Sequence, residues 1–232
     1  MDIEGRHFDL PNDFSGIVPL YPLVDMVFFP KTLLPLRLND SRYIALLEDA
    51  LNGEELIGVL YTSQQSDGSV KLSTTGTIGR IASVTRESAD IANVVLAGVD
   101  RFMVQGNPRT GYYLSARVKF VPDALPTPSD PIVLAQLSRL LELIRESKIF
   151  HVGEYQFPDN DRALLFQYHS LINAFCSVST AALDLKQKWL ESSSVSERYR
   201  LAIPALQSLI ASASVLDFLG DKAPTREKII LN

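Results

Sequence analysis

The chain has 232 residues, a net charge of −5 and one cysteine, Cys176. A chain of that length can bury roughly 70% of the surface it exposes when unfolded, so it needs no covalent staple. The single cysteine excludes an intrachain disulfide and a multi-cysteine zinc site, and interspersed charge of both signs argues against a nucleic acid held by phosphate contacts. The start, MDIEGRHFDL, has no basic stretch leading into an apolar core, so a secretory signal is not expected. No apolar run approaches the ~20 residues of a membrane span. A soluble, cytoplasmic protein is expected.

Residues 1–15 are polar with scattered apolar positions and read as a loosely held arm, free or packed on the neighbouring strands. The stretch Ile17–Leu51 is the densest apolar segment of the first half, and Pro19, Pro22, Pro30 and Pro35 interrupt it. Proline removes a ladder donor and is confined to edges, strand ends and bulges. The stretch therefore divides into three extended pieces, Ile17–Leu20, Met26–Phe29 and Leu33–Leu38, as in a small closed or half-closed barrel. Asn39 is suited to cap a helix in which Tyr43, Leu47 and Leu51 recur at helical spacing, and Asn52-Gly53 should end it with a left-handed residue. Strands come next at Leu56–Thr62, Thr77–Thr85, Ile91–Val99, Phe102–Gln105 and Tyr112–Val121, with Asp100-Arg101 as one of the turns.

The character changes at Pro122–Pro131, where four prolines in ten residues make a stiff spacer. A boundary here divides a β-rich unit, 14–122, from a helical unit, 130–220. Asp130 caps the next helix with Pro131 at its first position, and Val133, Leu137, Leu140, Leu141 and Ile144 form its stripe. His151–Pro158 is a connection. Leu164, Leu165, Tyr168, Leu171, Ile172 and Phe175 stripe a second helix, and Leu183–Glu191 is a short third. Ser194 and Glu197 form a capping box that opens a fourth, inside which Pro204 should kink or split the helix before Gly220 ends it.

The search for chemistry finds little. There is no phosphate-binding glycine loop, no H-E-x-x-H and no nucleophile elbow. Gly76 and Gly79 read as a bend at a strand entry. His7, His151 and His169 are too scattered for a zinc site, and Cys176 ends an apolar stripe where a buried thiol belongs. Trp189 reads as an anchor between helices or, less simply, a pocket wall. No catalytic residue, metal or cofactor is expected. What remains is the run Met26–Pro30, which is either core or an exposed sticky patch. Phe28 and Phe29 are adjacent, so on an extended chain they point to opposite faces. One can fill a barrel; the other needs a second cover, which is either the C-terminal helices or a client.

Pro19-Leu20-x-Pro22-Leu23, Phe29-Pro30, Leu34-Pro35-Leu36 and Arg42-Tyr43 resemble the opening signature of the Lon protease N-terminal domain family. The likeness continues in order through Gly76–Ile81, Leu96-x-Gly98-x-x-Arg101-Phe102, Tyr113-x-x-Ala116-x-Val118, Lys186-Gln187-x-x-Leu190-Glu191 and Arg198, spanning about residues 16–219. Departures are Asn39-Asp40-Ser41 before Arg42-Tyr43, Gly79 in place of alanine, and Pro204. The ATPase and Ser–Lys protease domains that continue full-length Lon are not in this sequence, so a stand-alone form is expected. The resemblance implies an α+β fold, a PUA-like β barrel followed by a helical bundle. It also implies a non-catalytic role in recognising unfolded or client polypeptides, with a separate ATP-dependent protease as a further partner. The residues expected to bind are Phe28, Phe29, Leu33 and Leu34, by apolar contact or strand addition, with Pro30 and Pro35 holding the corner and Arg42 and Tyr43 structural. A small-molecule or RNA-binding PUA-like module is the alternative.

If the spacer divides the chain, limited proteolysis should cut first near Leu125–Ser129 or in the termini, read by mass spectrometry. Earlier cleavage inside Ile91–Val99 would place the boundary elsewhere.

Overall fold

The computed structural model describes residues 14–65, 67–147, 157–158, 160–192 and 194–221. The order is β1 (Ile17–Leu23), β2 (Leu33–Leu38), α1 (Ser41–Leu51), β3 (Leu56–Gln64), β4 (Val70–Leu72), β5 (Thr75–Ser88), β6 (Ile91–Thr110), β7 (Leu114–Phe120), α2 (Pro131–Ser147), α3 (Asp161–Val178), α4 (Leu183–Leu190) and α5 (Val195–Asp221). The strands close a circuit. β1 runs parallel to β3 and antiparallel to β7, and β3–β5, β5–β6 and β6–β7 complete the ring. β2 adds to the first half of β6, and β4 to the end of β3. This is the α+β arrangement of a PUA-like barrel followed by helices.

β3 is buried on both faces, which is why Leu56–Thr62 reads as a continuous apolar run instead of alternating. Two apolar layers fill this half. Val18, Leu20, Ile78 and Phe102 belong to one; Leu34, Leu38, Leu47 and Leu96 belong to the other, which α1 covers. Gly76 lies where a Cβ would stand 2.1 Å from the Val59 carbonyl oxygen, so only glycine lets β5 approach β3 there.

Several local expectations need correction. Met26–Phe29 is a loop, not a strand. Asp40, not Asn39, caps α1, its side chain accepting from the Arg42 N–H at 2.9 Å. The left-handed residue after α1 is Glu55 (φ 57°), not Gly53. Asp100-Arg101 is no turn: β6 runs straight through it, and a bulge opposite Ile78/Gly79 absorbs the irregularity. β4 is an additional strand that the sequence pattern does not signal. α5 runs unbroken through Pro204 to Asp221. Pro204 and Arg200 are both exposed, so the Arg200 carbonyl that loses its helical partner faces water. Of the capping box, the Glu197 N–H to Ser194 Oγ bond forms at 3.2 Å, while the Glu197 carboxylate pairs with Arg200. The arm before Phe14, residues 151–156 of the connection with His151, and the tail after Asp221 lie outside the described residues.

The segment between strands and helices carries the main polar feature of the fold. The Asp123 side chain is buried and accepts two parallel bonds from Arg198 of α5, both 2.8 Å. Arg101 of β6 reaches it at 2.5 Å and His169 of α3 at 2.7 Å. Arg198 also donates to Asn173 Oδ1 and the Trp189 carbonyl, and Arg101 to the Leu190 carbonyl. One carboxylate thus ties a barrel strand to two helices and, through the arginines, to the end of α4.

Burial pushes the Asp123 carboxyl up, but the His169 hydrogen bond and the charge and bonds of Arg198 outweigh it and hold it well below the usual carboxylate range. Burial pushes the His169 imidazole below its ordinary value, despite Asp123. Both groups bind fewer protons folded than unfolded, so stability rises with pH. The Asp123 share is present above about pH 4 and lost as pH falls; the His169 share shrinks below about pH 6.5. Asp123→Asn should lose about 3–5 kcal/mol at neutral pH, because two buried arginines lose their partner. Urea unfolding across pH should show the gap to the wild type narrowing in acid.

Candidate functional site

Phe28 and Phe29 do point to opposite sides. Phe28 joins the barrel layer with Leu34 and Leu96, whereas Phe29 joins the helical core with Leu137, Tyr168 and Trp189. The second cover is therefore the helices. The loop holding them is fastened at each carbonyl. The Phe28 oxygen accepts from Thr77 Oγ1 at 2.6 Å, the Phe29 oxygen from Thr32 Oγ1 at 2.7 Å and the Pro30 oxygen from Asn173 Nδ2 at 2.9 Å. Lys31 (φ 60°) donates its N–H to the Gly98 carbonyl, and the Gly98 N–H returns to Thr32. A Cβ on Gly98 would lie 2.5 Å from the Phe29 oxygen, so the loop needs glycine at that position.

Of the four residues expected to bind, Phe28, Phe29 and Leu34 are buried and only Leu33, 45% exposed, reaches the surface. Pro30 is buried at the corner and Pro35 is exposed mid-way along β2. Arg42 pairs with Asp40 and lies 5.6 Å from the centre of the Tyr43 ring, which in turn packs 4.6 Å from Tyr21. Both support the entry to α1.

The exposed side of the same stretch forms a groove. It has a volume of about 330 Å³ and runs between the end of β1 and β2. Tyr21, Val24, Met26 and Leu36 give it apolar walls, with Asp25 and Arg37 on its rim. Val24 is 69% exposed and Met26 37%. Large apolar side chains left in solvent around a concavity mark a place where something docks. Sequence reasoning misses Tyr21, Val24 and Leu36 and reaches only Met26, the first residue of the run read as core or sticky patch. Tyr21 and Leu36 sit on strands whose alternation is masked by the flanking prolines, and Val24 reads as an ordinary loop position. Strand addition is poorly served here: among the described strands β2 pairs with β6 alone, but Pro35 interrupts its other edge by lacking an N–H.

Among the described residues, reactive groups do not converge on the groove. Cys176 is fully buried, its thiol pushed up to about 12 by burial. His169 is engaged by Asp123. Among the described residues, no group of three or more His, Cys, Asp or Glu side chains could hold a metal ion. No helix among them is long and apolar enough to cross a membrane.

The model for the ATP-dependent protease La (LON) substrate-binding domain matches residues 17–208. The chain belongs to the Lon substrate-binding domain family. Lon protease of Parabacteroides distasonis is 28% identical over 210 residues, 83% of this chain and 25% of that protein. Lon protease of Anaeromyxobacter dehalogenans is 33% identical over 114 residues, 48% of this chain and 14% of that protein. The chain thus spans a quarter or less of the length of these relatives. Two solved structures share the fold. A Lon N-terminal domain protein from Xanthomonas campestris has a TM-score of 0.58 and 21% identity, over 81% of this chain and 97% of that one. The N-terminal domain of the Mycobacterium avium complex Lon protease has a TM-score of 0.60 and 20% identity, over 84% and 98%.

The Lon-like motifs have physical explanations in this chain. Gly98 admits the Phe29 carbonyl, and Arg101 meets Asp123. Lys186 donates to the Ser177 carbonyl at 2.7 Å and Gln187 to the Thr75 carbonyl at 3.0 Å. Motif residues from both halves therefore meet at the junction of barrel and helices, while Pro22, Leu23, Leu34, Pro35 and Leu36 of the opening signature line the groove. Phe28→Ala and Phe29→Ala should each cost about 3–5 kcal/mol in urea unfolding, because each empties a packed site. Leu33→Ala should stay within about 0.5 kcal/mol of the wild type.

Proposed function

We propose that this domain recognises unfolded or client polypeptide by apolar contact in the groove between β1 and β2, without performing chemistry itself. The observation that carries the reading is the cluster of exposed Val24 and Met26 with half-buried Tyr21 and Leu36 around one groove, on a domain whose family model is a substrate-binding one. A volume of about 330 Å³ is at the small end for ligand sites and suits a few apolar side chains of a bound segment. Tyr21 and Leu36 stand on barrel strands, and Val24 and Met26 on the connecting loop, which hydrogen bonds at Phe28 and Phe29 fasten; a groove held in this way keeps the entropic cost of binding low. A separate ATP-dependent protease is the partner that such recognition would serve.

The double variant Val24→Glu/Met26→Glu should retain its melting temperature, since both side chains are exposed. It should bind a permanently unfolded probe, reduced and alkylated lactalbumin, about tenfold more weakly by fluorescence anisotropy. Unchanged affinity would remove the groove from consideration. The purified wild type should neither hydrolyse ATP nor degrade casein, and turnover that survives repurification would overturn the non-catalytic reading.

A further inference from the structure

A second surface adjoins the groove, and its character is opposite to that of the acidic chain as a whole. On β7, Ser115, Arg117 and Lys119 alternate with buried Ala116 and Val118, so they share the outward face. The register places Arg117 between Ile17 of β1 and Gln105 of β6, Ser115 between Pro19 and Arg109, and Lys119 opposite Met103. Arg109, Arg117 and Lys119 therefore stand on one continuous three-stranded face. Between Gln105 and Arg109 the ladder is interrupted, with Gly106 at φ 73°, and the irregularity opens a hollow of about 220 Å³. Gln105, Asn107, Arg109, Ser115 and Arg117 line it, so hydrogen-bond donors surround it and, among the described residues, no carboxylate does.

The arginines of this face differ from the others in the barrel half. Arg37 pairs with Glu87, Arg42 with Asp40, Arg86 with Glu48 and Arg101 with Asp123, and Arg80 also has a partner. Arg109, Arg117 and Lys119 have none among the described residues. On the other side of β1, Glu54 accepts from the Ser15 N–H at 2.6 Å and Asp49 from the Tyr113 hydroxyl at 2.5 Å, and neither pairs with these cations. A guanidinium offers a planar pair of donors that matches a carboxylate. Two of them beside amide and hydroxyl donors, flanked by the exposed apolar Ile17 and Met103, fit an acidic polypeptide segment.

The two surfaces share β1. Ile17, Pro19 and Tyr21 alternate onto the same side of the strand, and Tyr21 is a wall of the groove. At about 3.3 Å per residue, Ile17 and Tyr21 are roughly 13 Å apart. We propose that the face formed by Arg109, Arg117 and Lys119 binds acidic residues of a polypeptide, so that the preferred client carries an apolar block directly next to an acidic one. The apolar half of this preference rests on the groove reading; the acidic half stands on the basic face alone.

The test uses three synthetic peptides that share one Leu/Phe/Val block, followed by a block of glutamates, glutamines or lysines, and a single-stranded oligouridine, titrated against the full chain. The glutamate peptide should bind about tenfold tighter than the glutamine peptide at low salt, and the advantage should shrink as salt is raised. The lysine peptide should bind weakest. Arg109→Glu/Arg117→Glu, both exposed, should melt as the wild type does, abolish the glutamate advantage and leave the glutamine peptide unaffected. Val24→Glu/Met26→Glu should weaken the glutamine peptide. Equal binding of glutamate and glutamine peptides, with no response to Arg109→Glu/Arg117→Glu, would overturn the acidic preference while leaving the groove standing. A glutamate advantage that survives when no peptide responds to Val24→Glu/Met26→Glu would overturn the groove and keep the basic face. Oligouridine binding more tightly than the glutamate peptide, and lost with the two arginines, would make the face a nucleic-acid site and overturn the proposal.

Discussion

A single buried carboxylate holds the two halves of the molecule in register. The Asp123 side chain is fully enclosed, and a charge so placed is tolerable only when its oxygens are taken up by partners. Arg198, Arg101 and His169 take them, from α5, β6 and α3. Each arginine then needs further acceptors, which the carbonyls of Trp189 and Leu190 supply. Barrel and helices are thereby bound by requirements that neither half meets alone. Phe29, seated among the helical side chains while its neighbour Phe28 fills the barrel layer, adds the apolar counterpart.

The same dependence on distant partners explains the uneven legibility of the sequence. The stripe of Val133, Leu137, Leu140, Leu141 and Ile144 is visible because its members recur every three or four residues, and all five are buried. The opposed directions of Phe28 and Phe29 follow from strand-like alternation. Which element covers Phe29 does not, because that depends on helices over a hundred residues away. Asp100-Arg101 looks like a turn for the same reason: a charged pair inside an apolar run is exposed by default, and only the distant Asp123 makes the burial of Arg101 acceptable. Pro204 looks like a break because local rules ignore which way the orphaned carbonyl faces.

The candidate binding surface is only partly legible, and the reason is again physical. A sequence shows where large apolar residues are concentrated, and the strongest concentration, Val27 to Phe29, is where the fold uses them for its own packing. Of the residues left at or near the surface, Val24 and Leu36 look ordinary in the string, and Met26 stands at the edge of that concentration. The cations of the outer face are also scattered along it. They become a surface only when β1, β7 and β6 are laid side by side.

The seam between β1 and β7 also sets an order of events for a chain that emerges from one end. Ile17 pairs with Arg117, so the first strand must wait for one hundred further residues before its antiparallel partner exists. At ribosomal speeds of ~5–20 residues per second, that is roughly 5–20 s with one edge of this apolar N-terminal segment unpaired, its other edge being open to β3 sooner. Pro19, Pro22, Pro30 and Pro35 fall within that segment and deny a foreign strand a complete ladder throughout the delay. The residue that locks the seam's far side to the helices, Asp123, comes only a few positions after β7, so closing the barrel and offering the helices their anchor occur nearly together.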